Sequence, residues 1–416
     1  MSVVVRMVSV AVLALAPLAA CAQDLSLEEA LRIGEEHSAR LAAQRSALVS
    51  ATEQVGRAAE LPDPKLRLGI ENLPVSGEDR FRYDRDFMTS RMIGFAQEFP
   101  SSDKREARDL RARRMLDVEG SALRAQGTLV RRDTALAWLD VLYAERAREA
   151  LQRLAAQFRL QIDSVPSAIA RGRQTAAEGY ALRQAFEQAN DRVIEQERLA
   201  ARARIVLGSL LGEPASRPLT AAPDTSRLAH GEDHIVAQLE AHPELRVLSQ
   251  RENLARAEVE LARSSRKSDW MLEVDYGQRR PYFDNMLSVT VSFDLPWQTE
   301  RRQDRDIASR LAEVEQARAM REDARRMHEA EVRSWLADFD TATRRIERFE
   351  RILLSLARDR ASAALAAYQG GRGELGPVLE AERSVTETDL ALVQALAERA
   401  KAWANLNFLY LHETAR

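Results

Sequence analysis

A single cysteine and six histidines stand among the 416 residues. One thiol cannot form an intrachain disulfide, and a Cys-based zinc module needs several. Glycine, at 17, and proline, at 13, are sparse, and aromatic residues make up 6%. So few punctuating residues imply long helices joined by few turns. Neither sign of charge prevails: 61 Lys and Arg stand against 64 Asp and Glu, a formal balance of -3. That excludes a bulk attraction to nucleic acid. Past the N-terminal segment no run approaches the ~18 apolar residues of a membrane-spanning helix. Any crossing of a bilayer must then be made by strands. Catalytic signatures are missing as well, with no nucleophile elbow, phosphate loop or metal motif. No enzyme and no cofactor is expected. His37, His230, His234, His242, His328 and His412 are scattered along the chain. Only His230 and His234 sit four apart, in a linker, and no metal site is expected.

What the chain does have is 45% apolar and 30% charged residues. It is too apolar for disorder and too charged for a helical membrane bundle. It opens with Arg6, the apolar run Val8–Leu18 and a small-residue zone, the order of a signal peptide over residues 1–22. Ala20-Cys21-Ala22 suits ordinary cleavage, while Leu18-Ala19-Ala20-Cys21 resembles a lipobox that would make Cys21 a lipidated N-terminus. The first helix begins near Leu25 and a helix over Leu41–Glu60 climbs ~30 Å before the first strand. A lipid on Cys21 would therefore struggle to reach the bilayer, which favours cleavage after Ala22.

The mature chain is one unit written twice. Setting Pro100 on Pro296 places Phe95 on Val291, Ile93 on Val289 and Glu98 on Asp294. Trp138-Leu139 falls on Trp335-Leu336, Gly172-Arg173 on Gly371-Arg372, and Leu41 on Leu245. Landmarks in order at an offset near 200 mark a domain-scale duplication. The first repeat is expected over 23–212, a linker over 213–233 and the second repeat over 234–416. Each repeat reads as a helix, two strands and a long helical hairpin.

Strands are expected near 64–76, 88–99, 269–280 and 286–296, because apolar and polar residues alternate there. Leu287, Val289, Val291, Phe293 and Leu295 share one face, opposite Ser288, Thr290, Ser292 and Asp294. Each is about as long as a tilted membrane strand. From Ser101 to about Leu160, and again over Glu300–Tyr368, nothing reads as a helix terminator. The returning helices carry a 4-3 apolar spacing at Leu182, Phe186, Ala189, Val193, Ala200, Ala203, Leu207 and Leu210, then at Ala381, Val385, Thr388, Leu392, Ala395, Ala402, Leu406 and Leu409. Gln97, Gln196 and Arg399 interrupt these patterns. The fold class is mainly α with a β-barrel contribution of four strands per chain. Four strands cannot close a barrel, so membrane insertion would require several copies, and two, three or four all give an even strand number.

The segment Ala59-Glu-Leu-Pro62-Asp-Pro64, followed by Leu66-Arg-Leu-Gly69-Ile-Glu-Asn72-Leu-Pro74-Val75 and Phe95-Ala-Gln97-Glu98-Phe99-Pro100, resembles the outer-membrane factors of the TolC superfamily. It is most similar to the CzcC-like branch that serves heavy-metal pumps of the resistance-nodulation-division (RND) class. His242-Pro243-Glu244-Leu245 matches the start of the repeated unit. Ser101-Ser102-Asp103 departs from the Trp-Pro-Gly often found there, which touches the branch rather than the superfamily. The resemblance implies a homotrimer with a 12-stranded barrel in the bacterial outer membrane and a long α-helical periplasmic tunnel. It further implies a passive exit duct for heavy-metal cations, fed by an inner-membrane RND pump through a periplasmic adaptor.

By the same resemblance, tips near 166–174 and 369–376 would dock the adaptor through Gly172, Arg173, Gly371 and Arg372. Tyr368 and Glu380 would line the gate. On the polar strand faces Lys65 and Arg67 stand against Glu71, Glu98, Glu273, Asp275 and Asp294, an acidic excess that suits cations. Multidrug efflux or type I secretion is the alternative within the class. A periplasmic coiled-coil adaptor or scaffold is the alternative outside it, though two hairpins and four amphipathic strands argue against it.

Overall fold

The computed structural model describes residues 24–170, 175–228, 231–237 and 239–408. The signal segment with Cys21, the tip residues Gly172 and Arg173, and Leu409, His230 and His412 lie outside them. In chain order the elements are α1 (Leu27–His37), α2 (Ala39–Ala58), β1 (Lys65–Glu71), β2 (Ser90–Phe99), α3 (Ser102–Ala170) and α4 (Ala176–Leu211). They continue with α5 (Glu232–Ala237), α6 (Pro243–Ser264), β3 (Trp270–Gln278), β4 (Met286–Phe293), α7 (Gln303–Arg348), α8 (Leu354–Gln369) and α9 (Leu375–Asn407). Helix dominates, and the four strands form one antiparallel sheet in the order β1-β2-β3-β4.

α3 is a 69-residue rod, about 100 Å at ~1.5 Å per residue. No isolated helix of that length is stable in water without lateral partners. α2 and α6 flank its sheet-proximal part, α4 returns along its distal part, and α9 packs against it as well. Ser101 starts the rod, its carbonyl accepting from the Lys104 and Arg105 amides. The second rod is built differently: Gln298 adopts a left-handed φ of 63° and a short 3-10 turn precedes α7. A π-helical turn over Phe349–Leu353 then joins α7 to α8. The first rod also runs further than its proline suggests. Pro166 removes one helix hydrogen bond yet α3 continues to Ala170, and the Thr175–Glu178 capping box starts α4.

The 4-3 seam of α4 is buried at Leu182, Ala189, Val193, Ala200 and Leu207. Gln196 interrupts it harmlessly, its Nε2 donating to the Ala144 carbonyl at 3.2 Å. α9 is buried over more than one stripe, at Ala381, Glu382, Thr386, Ala395, Ala400, Ala402, Ala404 and Leu406. It packs against α3 on one side and α7 and α8 on another, so a single seam could not cover it.

The largest apolar cluster lies midway along the rods. Trp138, Leu139, Leu207, Leu211, Ala400 and Ala404 surround Leu25, all fully buried. The Trp138 Nε1–H donates to the Leu25 carbonyl at 3.2 Å. Leu25 also bridges Leu219: its amide donates to Pro218 O at 2.7 Å and its carbonyl accepts from the Thr220 amide at 3.2 Å. Gly34 lets α1 lie close on α3, since a Cβ there would come within 2.6 Å of Thr134 Oγ1. A second cluster gathers Ile235, Leu239, Leu245, Val332, Leu336 and Leu406, with Trp335 against it.

Candidate functional site

Strand pairing puts the apolar residues of the sheet in rows. Leu66, Phe95, Val274 and Val289 lie side by side, and Leu68, Ile93, Tyr276 and Leu287 form the next row. Most of this face is bare: Leu68 is 72% exposed, Val289 62% and Phe293 63%. Such a face is far larger than a soluble monomer ordinarily tolerates. The opposite face carries Arg67, Gly94, Asp275 and Ser288 in one row and Lys65, Ala96, Glu273 and Thr290 in another. Arg67 pairs with Glu273 across the sheet. Gly94 is there to make room, because a Cβ would collide with the Asp275 carboxylate. Gln97 falls in the apolar series, but its Nε2 donates to the Pro62 carbonyl at 2.8 Å and to its neighbour Glu98 O at 2.9 Å.

Both outer edges of the sheet lack a neighbour among the described residues: β1 pairs only with β2, and β4 only with β3. All four strands meet the helices at one end. There Asp269, just before β3, binds Lys104 at 2.5 Å and accepts from the Ser101 amide at 3.0 Å. Lys267 reaches Asp103 and Arg266 reaches Asp304, so charges tie both strand pairs to the tops of the rods. Among the described residues no helix is long and apolar enough to cross a membrane.

At the far end the second hairpin turns on a Schellman motif. Gly371 has φ +72°, its amide donates to Tyr368 O, and the Arg372 amide donates to Ala367 O, each at 3.0 Å. A residue with a Cβ is strained in that left-handed position, so Gly371 is dictated by the turn itself. Arg372 is exposed beside it. Tyr368 is half-buried against a cluster containing Phe158, Leu182, Leu375 and Val378. Glu380 is exposed and lines a cleft of about 190 Å³ between α4 and α9, with Arg383 on its own helix and Arg192 on α4. Tyr368 and Glu380 thus lie on either side of one turn. Gly172 and Arg173 fall outside the described residues.

Two features escape a linear reading. Glu382 is buried at 8% exposure, and burial raises its carboxyl pKa despite a hydrogen bond from Gln157. The folded state then holds this proton more tightly than the unfolded chain does. Its stabilising contribution is complete below the ordinary value of 4.5 and is lost as pH rises through the raised value. Glu382→Gln is expected to raise the melting temperature at pH 7.5 by roughly 2–4 °C and to flatten the decline between acid and neutral pH, read by circular dichroism melts.

The histidines are not scattered in space. His242, the residue before α6, and His328 of α7 place their rings 4.2 Å apart at 35°. His328 Nε2 lies 3.1 Å from a Glu244 oxygen and its Nδ1 3.1 Å from Glu331. The Glu244 hydrogen bond raises the His328 pKa. Burial and the neighbouring His328 push His242 down to about 4, keeping it neutral. The expectation of no His cluster is thereby corrected. A separation of 86 residues in sequence hid the pair, and only the antiparallel packing of α6 on α7 brings it together.

The model of the family described as outer membrane efflux protein matches residues 235–410. No curated protein matches the chain. A membrane protein from Pseudomonas aeruginosa superposes with a TM-score of 0.78 at 19% identity, over 92% of this chain and 93% of its own. CusC, known from structures describing transmembrane channel formation, gives 0.78 at 16% identity over 93% and 92%. The outer membrane protein VceC from Vibrio cholerae gives 0.75 at 18% identity over 92% and 95%. The shared fold is mostly helical with a four-stranded antiparallel sheet, the fold of TolC-like channel structures.

Proposed function

We propose that the chain is the outer-membrane exit duct of a tripartite efflux system, a reading supported by the match of residues 235–410 to the outer membrane efflux protein family and by the TolC-like channel fold of the whole chain. The observation that carries this is the sheet. It has one bare apolar face, one polar face and two open edges, set on rods about 100 Å long. In lipid an open edge is prohibitive, so neighbouring copies must supply strands. Three copies give 12 strands, the trimer that the TolC resemblance implies, with the polar faces lining the lumen. The helices then form a periplasmic tunnel, and exposed apolar residues such as Leu160, Tyr180, Ile194 and Ile205 offer contacts for neighbours.

In this reading the two repeats, over 23–212 and 234–416, are successive staves of the wall. The hairpin tips meet a periplasmic adaptor, with Gly172, Arg173 and Arg372 as contacts and Gly371 shaping the turn. An inner-membrane RND pump supplies the cargo. Tyr368 and Glu380 constrict the tunnel above the tips, where three-fold symmetry would gather the Glu380 carboxylates into a cation-attracting ring. Leu25 is held in the central cluster, with α1 and α2 between it and β1, which favours removal of Cys21 with the signal peptide over lipidation.

The cargo we propose is a heavy-metal cation, in keeping with the CzcC-like segment and the acidic excess on the polar strand face. A deletion strain tested for tolerance to zinc, cobalt, cadmium, copper and silver, beside dyes and antibiotics, decides this. Selective loss of tolerance to one or two metals is expected. Sensitivity only to drugs would keep the duct and move its cargo to the multidrug class. Glu380→Ala is expected to weaken divalent-cation block of single-channel conductance in planar bilayers by about 10-fold, the effect of removing ~1.4 kcal/mol of attraction. Unchanged block would remove Glu380 from the gate.

A further inference from the structure

The duct wall contains a pocket that the transport reading does not use. Where α6 begins against the middle of α7, a cavity of about 290 Å³ is lined by His242, Glu244, His328, Glu331, Arg132 and Phe408 among others. One ligand atom each from His242, Glu244 and His328 can be chosen so that all lie within 4.8 Å of one another. We propose that these three side chains bind a divalent transition-metal ion of the zinc class. The site goes beyond the duct reading, because it concerns an ion held in the wall whatever the cargo is.

The donor chemistry supports that assignment. Two imidazoles and one carboxylate are the ligand types that zinc, cobalt and nickel prefer over magnesium or calcium, which take oxygen donors. A tetrahedral ion with bonds of about 2.0–2.1 Å holds its donors about 3.3 Å apart. The 3.1 Å between His328 Nε2 and Glu244 already has that spacing. A ring nitrogen of His242 lies within 4.8 Å of both. Water completes the coordination through the cavity mouth.

The geometry around His328 resolves which nitrogen does what. Its Nδ1 faces Glu331 at 3.1 Å, so that position keeps the proton and donates it to the carboxylate. Nε2 is left to bind the ion, releasing any proton it carries to solvent. A carboxylate behind a metal-bound histidine is the usual way proteins fix the ring and raise its basicity. Opposing charge is present: Arg132 and Arg251 both line the cavity, and the Arg132 guanidinium lies 3.2 Å from Asp133.

The competing account is an ion pair in which a protonated His328 bridges Glu244 and Glu331. It predicts no metal uptake. The deciding measurement uses full-length, untagged protein in detergent, stripped with chelator and dialysed against zinc chloride or magnesium chloride. About one zinc per chain and no magnesium is the expected result. His242→Ala/His328→Ala should weaken zinc binding at least about 100-fold, with Co2+ giving a tetrahedral ligand-field spectrum only in the parent chain. Zinc should also shield His242 and His328 of the parent chain from diethyl pyrocarbonate, read by peptide mass spectrometry, which decides the matter even if the double variant fails to fold. No stoichiometric zinc, undiminished zinc in a folded double variant, or full modification of both histidines at saturating zinc would each overturn the site. None of these outcomes depends on transport, so the duct reading stands or falls separately.

Discussion

Trp138→Ala is expected to destabilise the protein by about 3–5 kcal/mol, the range for emptying a fully buried tryptophan site. Trp138 is wholly enclosed on α3, where α1, α4 and α9 converge. Rods of this kind cannot collapse to fill the void, because their long-range packing fixes the distance between backbones. The substitution also removes the donor to Leu25 O, a bond of 3.2 Å. That acceptor retains the Thr220 amide, so the added cost is closer to 1 kcal/mol than to the penalty of an orphaned carbonyl. Urea unfolding of the detergent-solubilised protein, followed at 222 nm, measures the sum. Trp138→Phe separates the two contributions by keeping most of the volume, and about 1–2 kcal/mol is expected for it. A loss below ~1 kcal/mol for the alanine variant would mean that the central cluster does not hold the rods together.

Val289→Arg should be the most damaging single change in the sheet. Val289 lies in the row Leu66-Phe95-Val274-Val289 and is 62% exposed on the apolar face. If that face meets lipid, an arginine near the bilayer midplane costs about 2–4 kcal/mol per chain, and a symmetric trimer incurs it three times. Recovery from the outer-membrane fraction and the heat-resistant oligomer band on gels should both fall at least about 10-fold. Ser288→Arg is the control, one residue earlier and on the polar face beside Asp275. It should assemble normally. Equal tolerance of both variants would deny the apolar face a membrane, and equal failure would point to strand disruption instead.

Much of the architecture could be read from the chain because its patterns are long. Alternation over Leu287–Phe293 and the 4-3 spacing of α4 repeat often enough that single exceptions do not blur them. Those exceptions turn out to be answered by backbone carbonyls: Gln97 by Pro62 and Gln196 by Ala144. No local pattern announces such partners. Pro166 misleads for a related reason, since a helix near its end survives the loss of one bond. The π-helical turn at Phe349–Leu353 leaves no mark on the apolar spacing either.

The candidate sites were less legible. Gly371 falls within the expected tip at 369–376, and its φ of +72° shows that the turn itself requires a glycine there. Glu382 could not be told from Glu380, two positions along α9, because which one is buried depends on how α3 and α8 enclose that part of the helix. His242 and His328 belong to different elements, and their meeting is a property of the α6–α7 contact rather than of either segment. Motif spacing is blind to that kind of proximity.

The clasp at Leu25 bears on the order in which the chain can assemble. Its carbonyl is held by Trp138 and Thr220, and its amide by Pro218. A polypeptide delivered N-end first presents Leu25 early, yet nearly half the chain must follow before residues 218–220 arrive to secure it. The start of the first helix is therefore fastened only once the whole first repeat has been delivered. Until then the apolar start of α1 is an exposed, sticky end, the kind of surface that chaperones shield. Chains cut short before residue 218 would never complete the clasp, so closure at Leu25 doubles as a length check on the first repeat before the strands of the second are committed.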